Sequence, residues 1–243
     1  MIELEYEEAG KITLRAATFD VYASWLDTMG RGSASDAAQN LVIDCAVEPN
    51  AEGLSALFED FGFLPETLEN EIVSAAGMGV PGPYPMVRLR DARAAHTRAG
   101  ELRAQIAAHS PEAPAAGQAE RDTRARLAAE LAALEPSLLP LELLDAAERV
   151  SARAVFFRTP AGVLPFRPPP RLAVAAHVDA MSDFQANRGD ASALGAGRTL
   201  MLASFIGDPQ VLAASIEEYP ALAQWIPGAL RALASGGKVR TQP

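Results

Sequence analysis

The chain has 243 residues, of which 49% are hydrophobic and 21% are charged, and its formal net charge is −10. This length suffices for one large hydrophobic core or two small ones. The acidic balance argues against nucleic-acid binding by the whole chain, because phosphate neutralisation requires a basic face. No apolar run approaches the roughly 18 residues of a membrane span, and a single cysteine excludes an internal disulfide, so the cytoplasm is the expected location.

Residues 1–77 are predicted to form a lobe of one β-hairpin and four short helices. Apolar and polar residues alternate from Ile2 to Leu14 on either side of Gly10, which indicates two strands and a glycine turn. Thr18 is suited to cap a helix whose apolar stripe is Val21, Tyr22, Trp25, Leu26 and Met29.

The remaining three helices of this lobe follow from caps and breakers. Ser33 or Ser35 is expected to cap a second helix that Pro49 stops and whose apolar face is Ala37, Leu41, Val42 and Cys45. Asn50 is expected to cap a third helix through Phe61, and Pro65 fits the first turn of a fourth that closes on Gly77. The core of this lobe is predicted at Leu41, Leu57, Phe61 and Leu68.

Residues 78–151 are predicted to be a linker followed by a helical arm. Met78–Pro85 is rich in Gly and Pro, as linkers are. Met86–Ala108 and Gln118–Glu135 are rich in Ala, Arg, Glu and Leu, which predicts the two helices of an antiparallel hairpin. The apolar stretch Leu138–Val150 is expected to pack back and to lead into the second hairpin.

Residues 152–236 repeat the pattern of the first lobe, which indicates a duplication. Leu164-Pro-Phe-Arg167 follows Gly162 as Ile12-Thr-Leu-Arg15 follows Gly10, and aligning Pro49 with Pro209 places Leu200 and Phe205 where the first copy has Asn40 and Cys45. The second helix of this copy is expected to begin near Ala196, and residues 237–243 are expected to be a flexible tail. The predicted fold class is therefore α+β, predominantly α-helical, with two related lobes joined by a helical hairpin.

Charge is distributed unevenly along the chain. Residues 1–77 carry 15 acidic and 3 basic side chains, residues 78–151 carry 10 and 9, and residues 152–243 carry 6 and 9. The first copy is thus strongly acidic and the second mildly basic. Either the two copies bind different surfaces, or they attract each other.

The residues that could carry chemistry are scattered. His96, His109 and His177 lie on different segments without metal-ligand spacing, and Gly77-Met-Gly79-Val-Pro-Gly82 has a proline where a phosphate-binding turn needs a backbone donor. Cys45 is expected to be a buried thiol rather than a nucleophile. We predict no catalytic, cofactor-binding or metal-binding residue, and no enzymatic activity.

Two charged features recur in both copies, a pair of carboxylates and an arginine at a strand end, and a structural or recognition role explains them better than catalysis does. The carboxylate pairs Glu59-Asp60 and Glu217-Glu218 occupy the same place in both copies, where a solvated helix face is favoured over acid–base chemistry. Arg15 and Arg167 each end a strand just before a helix, which is typical of structural anchors that pair with a local acid or carbonyl.

Residues 10–77 resemble the tail assembly chaperones of tailed bacteriophages, and residues 163–236 do so weakly. The resemblance rests on Ile12–Thr18, on Asn40–Pro49, on Leu54–Phe61 and on a leucine-spaced helix that closes on Gly77. It implies a mainly helical protein of the host cytoplasm that keeps the tape measure protein soluble and helps tail tube subunits polymerise. Members of the family have a single module and about half this length, so the second copy and the arm are departures from it.

The resemblance implies protein–protein contact with tape measure, tube or baseplate subunits, and self-association is a further expectation. One alternative is a permanent structural component of the tail or baseplate, incorporated in the finished particle. Another is a dimerising adaptor without a phage connection. The predicted partner-binding residues are Arg93, Arg98 and Arg103 of the arm with Glu59 and Asp60 of the first lobe.

Overall fold

The structure, a computed structural model, describes residues 1–6, 9–30, 34–62, 64–78, 84–109, 117–186 and 192–234. These residues form eleven α-helices and two three-stranded antiparallel sheets, so the chain is an α+β protein that is predominantly helical, as predicted. Two compact units are present, Met1–Met86 together with Phe157–Pro243, and Val87–Phe156. Both copies of the duplication belong to the first unit, so the prediction of two lobes is not confirmed.

The first repeat begins with the predicted hairpin of β1 (Ile2–Tyr6) and β2 (Gly10–Leu14). Gly10 has a φ of 76°, a left-handed conformation that glycine adopts without steric cost. A third strand, β3 (Ala46–Glu48), pairs antiparallel with β2. The sequence analysis does not predict this strand, because three residues before a proline are too few for an alternating pattern.

Four helices complete the first repeat: α1 (Phe19–Gly30), α2 (Ala34–Asp44), α3 (Ala51–Asp60) and α4 (Leu64–Val73), which continues into a π-helical turn (Ser74–Met78). The caps at Thr18 and Asn50 are confirmed, since their side chains accept hydrogen bonds from the backbone N–H groups of Val21 (3.4 Å) and Gly53 (3.0 Å). Ser35 lies inside α2 rather than at its cap, and Ser33 lies outside the described residues.

The core of the first repeat lies mainly between its helices, where α2 packs against α1 and α4. Leu41 and Leu68 are buried as predicted. Leu57 and Phe61, also predicted for the core, are only half-buried. They lie near the end of α3, where one side of the helix is not covered by its own repeat.

The arm consists of a strand and three helices: β4 (Met86–Arg88), α5 (Leu89–Ala108), α6 (Gln118–Leu134) and α7 (Leu141–Val150). The helix predicted from Met86 begins at Leu89, because Met86–Arg88 is part of a sheet. The antiparallel pairing of α5 with α6 is confirmed by His109, whose Nδ1 lies 3.6 Å from Glu120 Oε1, and by Arg98, whose Nη2 lies 2.7 Å from Glu130 Oε1. Most of the Met78–Pro85 linker lies outside the described residues.

The second repeat consists of β5 (Val155–Thr159), β6 (Gly162–Phe166), α8 (Arg171–Gln185), α9 (Ala193–Ser204), α10 (Pro209–Glu218) and α11 (Leu222–Ala234). Its order of elements matches that of the first repeat except at β3, in whose place the described residues have an isolated bridge between Phe166 and Phe205. The second sheet has the strand order β4-β5-β6. Helix α9 begins three residues earlier than predicted, because Ser192 caps it by accepting a hydrogen bond from the Gly195 N–H (3.4 Å). The predicted flexible tail lies outside the described residues.

The two recurring arginines make equivalent contacts, which confirms that they are structural anchors. The Arg15 N–H donates to the Cys45 carbonyl (2.8 Å) and its guanidinium to the Asp44 carbonyl. The Arg167 N–H donates to the Ser204 carbonyl (2.9 Å) and its guanidinium to the Ala203 carbonyl (3.2 Å). Each arginine thus joins the end of the hairpin to the end of the second helix of its repeat.

These contacts correct the alignment of the repeats by one residue. The counterpart of Cys45 is Ser204 rather than Phe205, and that of Asn40 is Thr199 rather than Leu200. Pro209 begins α10 as Ala51 begins α3, so Pro49 and Pro209 are not equivalent. Counterpart residues therefore differ in number by 153 in the first strand, by 152 in the second strand and first helix, by 159 in the second helix and by 158 in the last two helices.

Helices α9 and α11 approach closely at Gly197. A Cβ atom there would lie 2.2 Å from the Ala223 carbonyl oxygen and 3.0 Å from Pro227 Cγ. The same two helices contribute much of the second repeat's core, through Leu200, Met201, Ile226 and Leu230. The position therefore requires glycine, although the residue lies inside a helix.

We expect Gly197→Ala to lower the free energy of unfolding by about 1–3 kcal/mol or more, because the added methyl group forces the two helices apart. Gly228→Ala on α11 is the matched control. No heavy atom of the described residues lies within 4 Å of a Cβ built there, and alanine favours a helix over glycine by about 0.4–1 kcal/mol. Urea unfolding followed by circular dichroism measures both; equal stability of the two variants would contradict the close approach.

Candidate interaction surfaces

Helix α1 of the first repeat packs against α9 and α10 of the second. The Tyr22 hydroxyl donates a hydrogen bond to Gln224 Oε1 (2.8 Å), and the Arg198 guanidinium lies over the Phe19 ring, 4.9 Å from its centroid. Next to them, the Ala221 N–H donates to the Ala76 carbonyl (3.3 Å). The contact joins the α1 side of the first repeat to the α9–α11 side of the second.

Burial at this contact is nearly complete on the α1 side. Tyr22 is fully buried, and burial raises the pKa of its hydroxyl far above the ordinary value. The Tyr84 hydroxyl, which donates to the Gly77 carbonyl (3.1 Å), has its pKa raised by burial to about 12. Gly77 has a φ of 100°, and a Cβ there would lie 3.6 Å from Tyr219 Cβ, so the turn after α4 also lies at this contact.

The corresponding side of the second repeat is open. A groove of about 860 Å³ lies between α8 and α11. We call it the α8 groove; its lining residues include Pro169, Arg171, Val174, Ala175, Val178 and Arg231. Val178 is 44% exposed, and Leu172, on the neighbouring side of α8, is 84% exposed. Helix α8 thus presents apolar side chains to solvent.

The difference between α1 and α8 follows from their side chains. Tyr22 and Trp25 are buried on α1, where Trp25 Nε1 donates to Glu69 Oε1 (2.6 Å). Their counterparts on α8 are Val174 and His177, which are smaller. His177 is buried with its Nδ1 3.1 Å from the Ala196 carbonyl, so it holds α8 against α9 and leaves the space in front of Val174 open.

The first repeat carries an acidic face at the ends of its last three helices. We define it by Asp36 at the start of α2, Glu59 and Asp60 at the end of α3, and Glu66 at the start of α4. Asp36, Glu59 and Asp60 are exposed. Glu66 is half-buried, and its Oε2 is buried without a hydrogen-bond partner among the described residues. The two carboxylates singled out in the sequence thus belong to a set of four acidic side chains at helix ends of this repeat.

The predicted arm arginines are engaged within the arm. Arg93 contacts Asp145 and Glu148 on α7, Arg98 contacts Glu130 on α6, and Arg103 lies 3.0 Å from Glu135. The two carboxylates beside Arg93, and Glu130 beside Arg98, raise the pKa of each guanidinium. These pairs are solvent-exposed, where ion pairs add little to stability, so a partner could compete for them at small cost. They place the arginines on the arm surface but do not gather them into one patch.

The residues considered for catalysis are held in separate structural roles. Arg15 and Arg167 bind backbone carbonyls, and the His96 Nε2 lies 2.6 Å from the Leu139 carbonyl. Burial raises the pKa of the Cys45 thiol to about 11, which disfavours the reactive thiolate. Within the described part of the chain, no group of three His, Cys, Asp or Glu side chains could hold a metal ion, and no helix is long and apolar enough to span a membrane.

Sequence analysis left open an attraction between the two copies but did not locate their contact, and it missed the α8 groove. Tyr22 and Gln224 are separated by 202 positions, and no local pattern connects them. A signal does exist in the aligned repeats, since the stripe Tyr22, Ala23, Trp25 becomes Val174, Ala175, His177. The aromatic side chains of α1 are replaced by smaller ones at the matched positions of α8, which indicates that the two helices are not buried against the same kind of neighbour.

Comparison of the chain with protein-family models, with curated protein sequences and with solved structures gave no significant match.

We expect Tyr22→Phe to lower the free energy of unfolding by about 0.5–1.5 kcal/mol, because it removes the hydrogen bond to Gln224 and leaves that amide less well satisfied. Tyr6→Phe is the matched control, since the Tyr6 hydroxyl makes no hydrogen bond to any described residue. Chemical denaturation of both variants measures the difference. A Tyr22→Phe protein as stable as the control would contradict the role of this bond.

Alkaline pH should destabilise the wild-type chain more than Cys45→Ser. The folded state holds the thiol pKa at about 11, above its unfolded value, so the contribution is complete below the unfolded pKa and is lost as the pH rises towards the folded one. Serine is suited to this position, because the counterpart Ser204 is fully buried and its hydroxyl donates to the Leu200 carbonyl (2.7 Å). Unfolding free energies between pH 8 and pH 11 measure the difference; parallel pH profiles would contradict it.

Proposed function

We propose that this chain acts by protein–protein contact, without enzymatic activity, in the assembly of a bacteriophage tail or tail-like particle. Its partners on this proposal are tape measure, tube or baseplate subunits, and it works in the host cytoplasm. The resemblance of residues 10–77 to tail assembly chaperones supplies the biological context. The observation that carries the proposal is the α8 groove, an apolar surface on a repeat whose remaining core is well packed.

The chemistry of the groove favours a protein partner. Its wall is formed by Val174, Ala175 and Val178 on α8 and by small residues on α11, with Arg171 and Arg231 among the lining residues. An apolar centre with charged residues around it is the usual composition of a protein-binding surface. Apolar side chains on adjacent helices suit a helix or a helix end laid into the groove.

A permanent place in the particle is the second candidate function. It is favoured by the location of the α8 groove and the acidic face on different repeats, which gives the chain two surfaces of opposite charge for two neighbours. A chaperone that only covers one segment of a client needs a single surface.

Quantitative mass spectrometry of the chain in a producing cell tests the proposal, by comparing finished particles with the soluble assembly fraction. We expect the chain to accompany tail proteins in one of the two. A fixed integer ratio to tail subunits in finished particles identifies a structural component, and presence only in the soluble fraction with a long helical partner identifies a chaperone. Absence of tail proteins from both would contradict the proposal.

Val178→Asp should remove the association with tail proteins, because it places a charge in the apolar wall of the groove. Val211→Asp on α10 is the matched control, since Val211 is 57% exposed and Val178 44%, and it lies outside the groove. Both side chains are exposed, so each variant is expected to fold. The same mass-spectrometric comparison measures the effect. Retention of tail proteins by Val178→Asp, or their equal loss from both variants, would contradict the role of the groove.

A further inference from the structure

We propose that copies of this chain associate head-to-tail, with the α8 groove of one copy docking on the acidic face of the next. The inference goes beyond the proposed function and rests on it: a second copy occupies the groove, and tail proteins are bound by the assembled copies. It rests on the contact between the two repeats inside one chain, which supplies a template for the contact between chains.

In the internal contact, α1 takes the place that α8 and its groove take in the proposed contact between chains. Inside the chain, α1 packs against α9 and α10, whereas α8 packs against α9 and α11 of its own repeat. Arg171, Val174 and Ala175, which line the groove, are the counterparts of Phe19, Tyr22 and Ala23, which are buried at the internal contact. Ala234, also in the groove, is the counterpart of Ala76, whose carbonyl accepts the hydrogen bond from Ala221. The groove is therefore the second copy of a surface that is already used once.

The receiving side of the template is the face of the second repeat that α1 covers. Arg198, Tyr219 and Gln224 contribute to it. Their counterparts in the first repeat are Gln39, Phe61 and Glu66. Phe61 is only half-buried, and Glu66 has the buried carboxylate oxygen without a partner among the described residues. This surface, which includes Glu66 of the acidic face, is thus the first copy of one that is covered in the second repeat.

Charge is complementary across the proposed contact and is arranged differently from the internal one. Internally, Arg198 lies 2.9 Å from Glu217 and over the Phe19 ring. In the first repeat Gln39 replaces Arg198, so within the described residues Glu59, the counterpart of Glu217, has no cation beside it. In the groove, Arg171 replaces Phe19. The positive charge therefore lies on the receiving surface in the internal contact, as Arg198, and on the groove in the proposed contact, as Arg171. Docking of the groove on the next copy would place Arg171 beside Glu59.

The contact is heterologous, because the groove and the acidic face belong to different repeats. A heterologous contact continues from copy to copy, and it forms a ring where the rotation closes and a filament where it does not. Each added copy extends a row in which first and second repeats alternate. Neighbouring repeats in the row pack through corresponding surfaces, both within a chain and between chains. Contacts of groove with groove, or of acidic face with acidic face, are disfavoured because they bring like charges together.

Light scattering coupled to size-exclusion chromatography on the purified full chain, at low and high salt, tests the proposal. We expect species at multiples of 25.6 kDa that grow beyond a dimer with concentration and shift towards monomer as salt screens the charges. A chain that is monomeric at every concentration, or a dimer that does not grow, would overturn it.

Charge reversal identifies the two surfaces. Arg171→Glu and Glu59→Arg should each abolish the species heavier than a monomer, while the double variant should restore them, because its reversed charges face each other across every contact. Glu52→Arg is the matched control on α3, with the same charge change at the other end of the helix and no expected loss. An interface between two grooves would be insensitive to Glu59→Arg, and that outcome or a double variant that stays monomeric would overturn the proposal.

Both altered side chains are exposed, and Asp60→Arg provides a second variant of the acidic face in case Glu59→Arg fails to fold. The outcome also separates this inference from the proposed function. Self-association without tail proteins in the producing cell would retain the inference and contradict the function. A monomeric chain whose Val178→Asp variant loses tail proteins would contradict the inference and retain the proposed function.

Discussion

The packing of α1 on the second repeat is the interaction on which the rest of the structure depends. Each repeat is small, with a short hairpin and four helices of 10 to 15 residues. A domain of this size buries a limited share of its surface and gains stability when it shares a core with a neighbour. Tyr22 provides this shared core, because its ring is buried against Trp25 at a centroid distance of 5.0 Å while its hydroxyl reaches the second repeat. The two copies therefore form one compact unit.

The two repeats differ at matched positions. The first has aromatic residues on its first helix and acidic side chains at its helix ends. The second has Val174 and His177 on its first helix and Arg198 at the surface that receives α1. On the proposal above, the unequal charges of the segments, which the sequence already shows, contribute an attraction between chains.

Local signals made most of the fold predictable. The caps Thr18 and Asn50, the turn glycine Gly10 and the early proline Pro65 each act within a few residues, so the elements they define were predicted correctly. The strand β3 and the start of α9 were missed, because the first depends on pairing with a distant strand and the second on a cap followed by small residues with weak preference. The alignment error came from Pro209, which begins a helix while Pro49 follows a strand.

The candidate surfaces were harder to predict, because they depend on what covers a helix rather than on what forms it. Glu59 and Asp60 were identified because a carboxylate pair recurs in both copies. The α8 groove, which carries arginines, was not identified from the sequence. The arm arginines illustrate the converse limit. Arg98 and Arg103 each pair with a residue 32 positions later, and such pairing is invisible in a chain read one helix at a time.

The two ends of the arm are held side by side by the backbone. The Arg158 N–H donates to the Pro85 carbonyl (3.0 Å), and the Leu89 N–H donates to the Ala154 carbonyl (2.9 Å). The chain thus leaves the repeats and returns to them through neighbouring strands, as inserted domains commonly do. An insertion of this kind can lengthen, shorten or be exchanged during evolution while the frame that carries it stays the same. Related chains could therefore keep one pair of repeats and differ in the segment inserted between them.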